Sequence, residues 1–312
     1  MKPDIAVVSG MPPFTAEALE ASFTVHKVYE AADKPAFLAR IADRVRGIAT
    51  SGGGGAKAAL MDALPNTEII GCFGVGYDAI DIDAAKARGI RVTNTPDVLT
   101  DDVADLALIL LLDAARMVSA SDRYVRAGLW PKASYRLTQA VAGKTAGIIG
   151  LGRIGKAIAK RLEACGMRIA YHGRSKQAGV EYPYYATARD LAEASDFLVL
   201  ASPGGTETYH LVSAEVLAAL GPKGTLINIA RGSVVDEAAM IEALKNGSLG
   251  AAGLDVFENE PHVPEALFGM DNVVLLPHVG SATLETRQAM GQLMIDNLIA
   301  HFAGEPLLTP VA

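Results

Sequence analysis

The hexapeptide Gly150-Leu151-Gly152-Arg153-Ile154-Gly155 constrains the fold of this chain more than any other stretch. It follows an apolar run at 145–149 and opens a helical pattern at 156–164, so its glycines fall on a strand-to-helix turn. There the first glycine permits a tight turn, the second lets backbone approach a pyrophosphate, and the third lets the helix pack close. N–H groups at the helix start attract the anion. With 31 glycines in 312 residues, the bare pattern is expected by chance about 0.3 times. The strand-turn-helix context carries the dinucleotide reading.

The next strand, predicted at 167–171, would end in Asp or Glu if the bound ribose had a free 2′-hydroxyl. It ends instead in His172-Gly173-Arg174-Ser175-Lys176. Two cations and a hydroxyl, with no acid, suit a 2′-phosphate, which predicts NADPH over NADH. The competing reading is a solvated basic turn.

Short β-branched runs at 5–8, 25–28, 47–50, 68–71 and 91–93 alternate with Ala/Leu-rich helical patterns and predict one parallel sheet. A second series, at 145–149, 167–171, 197–201, 225–230, 250–256 and 272–276, predicts a complete doubly wound sheet. Between the series, residues 101–126 lack Gly and Pro and predict a long helix, followed by an extended arm at 128–141. A final amphipathic helix is predicted over 284–301, with Met290, Leu293, Met294 and Leu298 on one stripe.

Half the residues are hydrophobic and the net charge is −7, which provides core for two domains and argues against a nucleic-acid partner. The most apolar stretch, 103–112, contains Asp105 and is too short for a membrane span. No leader segment is visible at Met1-Lys2-Pro3-Asp4. The two cysteines, Cys72 and Cys165, are far apart and read as buried small apolar residues in a reducing, cytoplasmic setting. No metal site is expected.

Five blocks carry a resemblance: 74–78 (Gly-Val-Gly-Tyr-Asp), 147–155, 227–232 (Ile-Asn-Ile-Ala-Arg-Gly), 254–261 (Leu-Asp-Val-Phe-Glu-Asn-Glu-Pro) and 277–282 (Pro-His-Val-Gly-Ser-Ala). In this order they resemble the D-isomer-specific 2-hydroxyacid dehydrogenases, in particular the glyoxylate/hydroxypyruvate and hydroxyphenylpyruvate reductases. The resemblance implies an α/β fold of two doubly wound parallel-sheet domains, a Rossmann cofactor domain (99–283) inserted into a flavodoxin-like substrate-binding domain (1–98 and 284–312).

It also implies catalysis by Arg231, Glu260 and His278. The planar fork of Arg231, at the end of a strand, suits the carboxylate and adjacent carbonyl of a small 2-oxo acid. His278 can protonate the carbonyl oxygen, and Glu260 on its other nitrogen favours the charged imidazole. The resemblance adds cofactor contacts by Pro203, Thr208, Ala230, Asp255 and Gly280, although Thr208 could equally cap a helix. Val75 and Gly76 resemble residues whose backbone N–H groups receive the substrate carboxylate, and Ser51, Gly52 and Gly53 form the facing loop.

The missing acid at the ribose departs from the NAD-using majority of the family. Glu260 and His278 argue against a formate dehydrogenase, whose bound formate needs no proton donor. The arm resembles that of the reductases, but its Trp130 fits a substrate pocket, a dimer interface or a core equally well. The helix from Asp101 and the arm at 128–141 are expected to form a homodimer surface. Two other functions remain: a nucleotide-sensing regulator on the same fold, and an NAD-dependent biosynthetic dehydrogenase, which would want a phosphate-binding cluster where only Lys57 stands.

Overall fold

Parallel strands covered on both faces read as continuous apolar runs, and the buried run Ile69–Phe73 is one of them. A computed structural model describes residues 2–311, which form two units. The first comprises Met1–Leu99 and Ser281–Ala312, and the second Thr100–Gly280.

In the first unit, β1 (Asp4–Val7), β2 (Thr24–Lys27), β3 (Val45–Ser51), β4 (Ile69–Phe73) and β5 (Arg91–Thr93) make a parallel sheet ordered β2-β1-β3-β4-β5. This is the flavodoxin-like order. The sheet's core includes Ile48, Ile70, Cys72 and Val92, all fully buried. Leu284–Ala303 is a single helix, started by the Thr283 hydroxyl accepting the Thr286 N–H and stopped by left-handed Gly304. It buries Met290, Met294 and Leu298. Gly71 of β4 admits it closely, since a Cβ there would lie 3.0 Å from Met294. A short segment beyond that helix returns to the sheet edge, where Pro310 bridges Thr93 in antiparallel sense and Val311 donates to the Val92 carbonyl.

The second unit contains β6 (Thr145–Ile149), β7 (Arg168–His172), β8 (Tyr184–Tyr185), β9 (Phe197–Leu200), β10 (Thr225–Asn228), β11 (Ala251–Leu254) and β12 (Val273–Leu275). The parallel order is β12-β11-β10-β9-β6-β7-β8. With β6 counted as strand 1, the sheet reads 3-2-1-4-5-6-7, a Rossmann sheet with its switch point between β6 and β9. The sequence predicted six strands here. Edge strand β8 is the addition, and two residues are too few to show a period.

The stretch predicted as one long helix is two, Thr100–Arg116 and Val118–Arg126, separated by Met117 in the left-handed region (φ 53°). Asp113 explains the break. Its carboxylate accepts the Ser119 backbone N–H at 2.8 Å and the Ser119 hydroxyl, capping the second helix from the last turn of the first. The arm at 128–141 has no regular structure. Cys165 is half-buried rather than buried, and neither cysteine is in a disulfide. No helix among the described residues is long and apolar enough to cross a membrane.

Candidate active site

In open doubly wound sheets, ligands bind beyond the carboxyl ends of the strands, at the switch point. The glycine turn lies there, after β6. Gly150 has φ 94°, and a Cβ on it would fall 2.6 Å from the Ser202 backbone nitrogen, just past β9. A Cβ on Gly155 would fall 2.2 Å from the Gly150 carbonyl, so only glycine lets the helix Arg153–Ala164 start against the turn. Gly152 differs, because a Cβ there would meet nothing within 4 Å. It is the N-cap of that helix and supplies no side-chain cap to the N–H groups of the first turn. The Ser202 hydroxyl beside this turn is buried with no protein partner. Open space, uncapped donors and an orphaned hydroxyl fit a dinucleotide pyrophosphate.

Beyond β7, Arg174, Ser175 and Lys176 are exposed, and neither cation has an ion-pair partner among the described residues. The loop itself is fixed. Gln177 donates from Nε2 to the Leu151 carbonyl at 2.8 Å and from its backbone to the Tyr171 hydroxyl at 2.7 Å. Edge strand β8 braces it further, as Tyr184 donates to the Gly173 carbonyl and His172 to the Tyr185 carbonyl. Gln177 thus ties the basic loop to the glycine turn. No sequence motif marks it.

After β9 the chain passes Pro203. The Thr208 hydroxyl donates to the Pro203 carbonyl at 2.8 Å, closing this loop rather than capping a helix. After β10, buried Asn228 accepts the Ala230 N–H at 3.0 Å and donates to the Arg231 carbonyl at 2.9 Å. Asn228 shapes the turn that presents Arg231, and a polar residue ending an apolar strand was its signal in the sequence. The Ala230 carbonyl accepts from Arg231 Nη1 at 2.7 Å. The next residue, Gly232, packs against the following loop so closely that a Cβ would lie 1.9 Å from the Phe257 carbonyl carbon.

That following loop, after β11, carries Asp255 and Glu260. Asp255 is buried, and its two oxygens accept the Val279 and Gly280 N–H groups at 2.7 and 2.8 Å. The His278 N–H donates to the Asp255 carbonyl at 2.9 Å. One residue therefore holds the whole turn bearing His278, whose φ of 54° is otherwise unfavourable for a non-glycine residue. Burial pushes the Asp255 carboxyl up, against the two N–H donors that favour its charge. Oδ1 of Asp255 is thus engaged with Val279 and Oδ2 with Gly280.

Glu260 meets His278 directly. Its Oε2 accepts from His278 Nδ1 at 2.7 Å, while Oε1 accepts the Phe257 N–H at 3.1 Å. Burial alone would raise the Glu260 carboxyl, but the His278 hydrogen bond and charge, the Phe257 N–H and the Arg231 charge outweigh it and hold it below the usual value. Arg231, Glu260 and His278 thus converge within the second unit. In the first unit, the loops after β3 and β4 face each other, since a Cβ on Gly74 would lie 3.6 Å from the Gly52 nitrogen. The Ser51 hydroxyl accepts the Gly54 N–H within its own turn.

A flavodoxin-like unit interrupted by a Rossmann unit with an open glycine turn defines a nicotinamide-dinucleotide oxidoreductase. Residues 108–280 match the family description "D-isomer specific 2-hydroxyacid dehydrogenase, NAD binding domain", and the chain belongs to that family. It is 50% identical over 307 residues, 98% of each chain, to hydroxyphenylpyruvate reductase of Plectranthus scutellarioides. It is equally similar, with the same coverage, to glyoxylate/hydroxypyruvate reductase A of Arabidopsis thaliana. Among solved structures it resembles the NADPH-dependent glyoxylate/hydroxypyruvate reductase of Sinorhizobium meliloti in complex with NADP and malonate. The TM-score is 0.93 at 47% identity, over 100% of this chain and 97% of that one.

Proposed function

We propose that this enzyme reduces small 2-oxo acids, among them glyoxylate, hydroxypyruvate and phenylpyruvate-like acids, to D-2-hydroxy acids with NADPH in preference to NADH. The observation that carries the reading is the 2.7 Å pair between His278 and Glu260, placed with Arg231 at the carboxyl edge of a dinucleotide-binding sheet. The names of its relatives favour the same substrates. The basic loop 174–176, which lacks a carboxylate, supports NADPH.

In this reading the second unit is the cofactor domain and the first the substrate-binding domain. A bound nicotinamide supplies hydride to the substrate's carbonyl carbon. Gly150, Leu151, Gly152, Arg153, Ile154 and Gly155 hold the pyrophosphate, and Arg174, Ser175 and Lys176 the 2′-phosphate. Pro203, Thr208, Ala230, Asp255 and Gly280 line the nicotinamide end. Arg231 binds the acid through its fork and polarises the carbonyl. His278, with Nδ1 committed to Glu260, offers Nε2 to protonate the carbonyl oxygen. Val75 and Gly76 offer N–H groups to the carboxylate, with Ser51, Gly52 and Gly53 facing them.

Steady-state oxidation of NADPH, with NADH in parallel, against glyoxylate, hydroxypyruvate, pyruvate and phenylpyruvate tests the whole reading. Turnover with at least a tenfold preference for NADPH is expected. Tight NADPH binding without turnover of any acid would favour a sensor instead.

Cys72 and Cys165, neither in a disulfide, suit the reducing cytoplasm. A homodimer accompanies the proposal. On the helices at 100–126 and the arm after them, Ile109 is 55% exposed, Trp130 67% and Leu137 98%, an apolar surface suited to a second copy. Gel filtration at the monomer mass would remove it.

A further inference from the structure

Backbone N–H groups bind a carboxylate well only if their peptides are held still beforehand. The turn bearing Val75 and Gly76 is held from behind by every carbonyl it has. The Gly74 carbonyl accepts the Thr95 N–H at 2.9 Å, the Val75 carbonyl accepts Asn94 Nδ2 at 2.9 Å, and the Gly76 carbonyl accepts the Cys72 thiol at 3.7 Å. The Gly74 N–H donates to the Thr95 hydroxyl at 3.0 Å. The N–H groups of Val75 and Gly76 donate to no group among the described residues. Each peptide therefore has its oxygen fixed and its N–H available.

Asn94, the anchor of the central peptide, is itself buried and is set by a distant part of the sequence. Its carbonyl accepts the Thr309 hydroxyl at 2.6 Å. That hydroxyl in turn accepts Asn297 Nδ2 at 2.9 Å, while Asn297 Oδ1 accepts the N–H groups of Leu308 and Thr309 at 3.0 and 3.1 Å. Asn297 is fully buried on the helix Leu284–Ala303 and also donates to the Leu293 carbonyl. The relay Asn297–Thr309–Asn94–Val75 runs in one defined direction, each amide or hydroxyl donating to the next group, which is how a polar network specifies one geometry.

We propose that Asn94 and Thr309 are positioning residues for the substrate carboxylate: the segment at 308–311 straps the peptide between Val75 and Gly76 through the Val75 carbonyl, so that the Gly76 N–H is aimed at the acid. The proposal rests on the reading that Val75 and Gly76 receive that carboxylate. It makes the outer segment, which carries no residue of the reaction, a determinant of affinity for the acid.

The test is made on the full chain with Thr309→Val, which keeps the shape and removes the hydroxyl, Thr309→Ser, which restores it, and Asn94→Ala. KM for glyoxylate and hydroxypyruvate at saturating NADPH, kcat, the Kd of NADPH, and calorimetric binding of oxalate are read together. Thr309→Val and Asn94→Ala should raise KM and the oxalate Kd about tenfold, a hydrogen bond's worth, with kcat within about twofold of wild type. NADPH binding should not change, and Thr309→Ser should match wild type. A structural role alone would lower the melting temperature without splitting KM from kcat.

Unchanged KM and oxalate binding in folded Thr309→Val overturns the strap. Gly74→Ala distorts the same turn directly, because Gly74 has φ 151°. If Gly74→Ala weakens the acid while Thr309→Val does not, only the strap fails. If Gly74→Ala also leaves the acid unaffected, the carboxylate reading fails and takes the strap with it.

Discussion

His278 Nδ1 lies 2.7 Å from Glu260 Oε2, and the Glu260 carboxyl is held below its usual value, so the carboxylate is charged wherever the enzyme works. In the proposed reaction that carboxylate fixes the orientation of the ring through Nδ1 and leaves Nε2 for the substrate. Glu260→Gln keeps an oxygen and removes the charge. For reduction, kcat/KM should fall about tenfold or more, with NADPH affinity unchanged. For stability the sign is that of a depressed acid: the Glu260 contribution is full above the unfolded value of about 4.3 and is lost as pH falls through the folded one. Unchanged kcat/KM in Glu260→Gln would remove Glu260 from this role.

Arg174 has no ion-pair partner among the described residues and sits on a loop tied by Gln177 to the glycine turn. Two charge-assisted hydrogen bonds to a 2′-phosphate, about 1.5 kcal/mol each, amount to roughly 100-fold in affinity. Arg174→Ala should weaken NADPH by about that factor and leave NADH nearly unchanged. Fluorescence titration with both cofactors checks it, and equal losses would sink the 2′-phosphate assignment.

Gly152 and Gly155 separate folding from binding. A Cβ on Gly155 would lie 2.2 Å from backbone, whereas one on Gly152 would meet no protein atom within 4 Å. Gly155→Ala should cost about 2 kcal/mol or more of stability through forced backbone movement. Gly152→Ala should melt within a degree or two of wild type yet bind NADPH at least tenfold more weakly, because the cofactor needs that space. Thermal melts and cofactor titrations decide, and normal NADPH binding by Gly152→Ala would move the pyrophosphate elsewhere.

Asp255 works against its own burial to hold Val279 and Gly280. Its raised value in the fold means that its contribution to stability is full below the unfolded value of about 3.9 and declines as pH rises through the folded one. Asp255→Asn cannot accept both N–H groups, but it has no such decline. The variant should be less stable, and its melting-temperature deficit should narrow as pH rises through that window. A deficit that widens with pH contradicts the raised carboxyl.

Much of this was legible because the signals were local. The glycine turn at 150–155 and the strands around it show their period and turn residues in one stretch of chain. Arg231, Glu260 and His278 came through resemblance, each on a recognisable block. What sequence missed depends on the third dimension. Gln177 reaches a carbonyl across to the glycine turn, and Asp255 holds a backbone distant in sequence, whereas Asn228 bonds only three residues on. The break at Met117 was hidden because helical periodicity runs straight through it, and only the reach of Asp113 to Ser119 creates the corner.

The chain's order of synthesis gives the interrupted first unit a further meaning. Residues 100–280 are contiguous, whereas the sheet of the first unit lacks the helix Leu284–Ala303 and the strap at 308–311 until they follow. On the ribosome, where segments become available from the N-terminus onward, the inserted unit is complete while its host still waits for its last elements. Until translation has delivered Thr309 and Pro310, edge strand β5 lacks its antiparallel bridge and the Asn94 carbonyl lacks the hydroxyl that holds it.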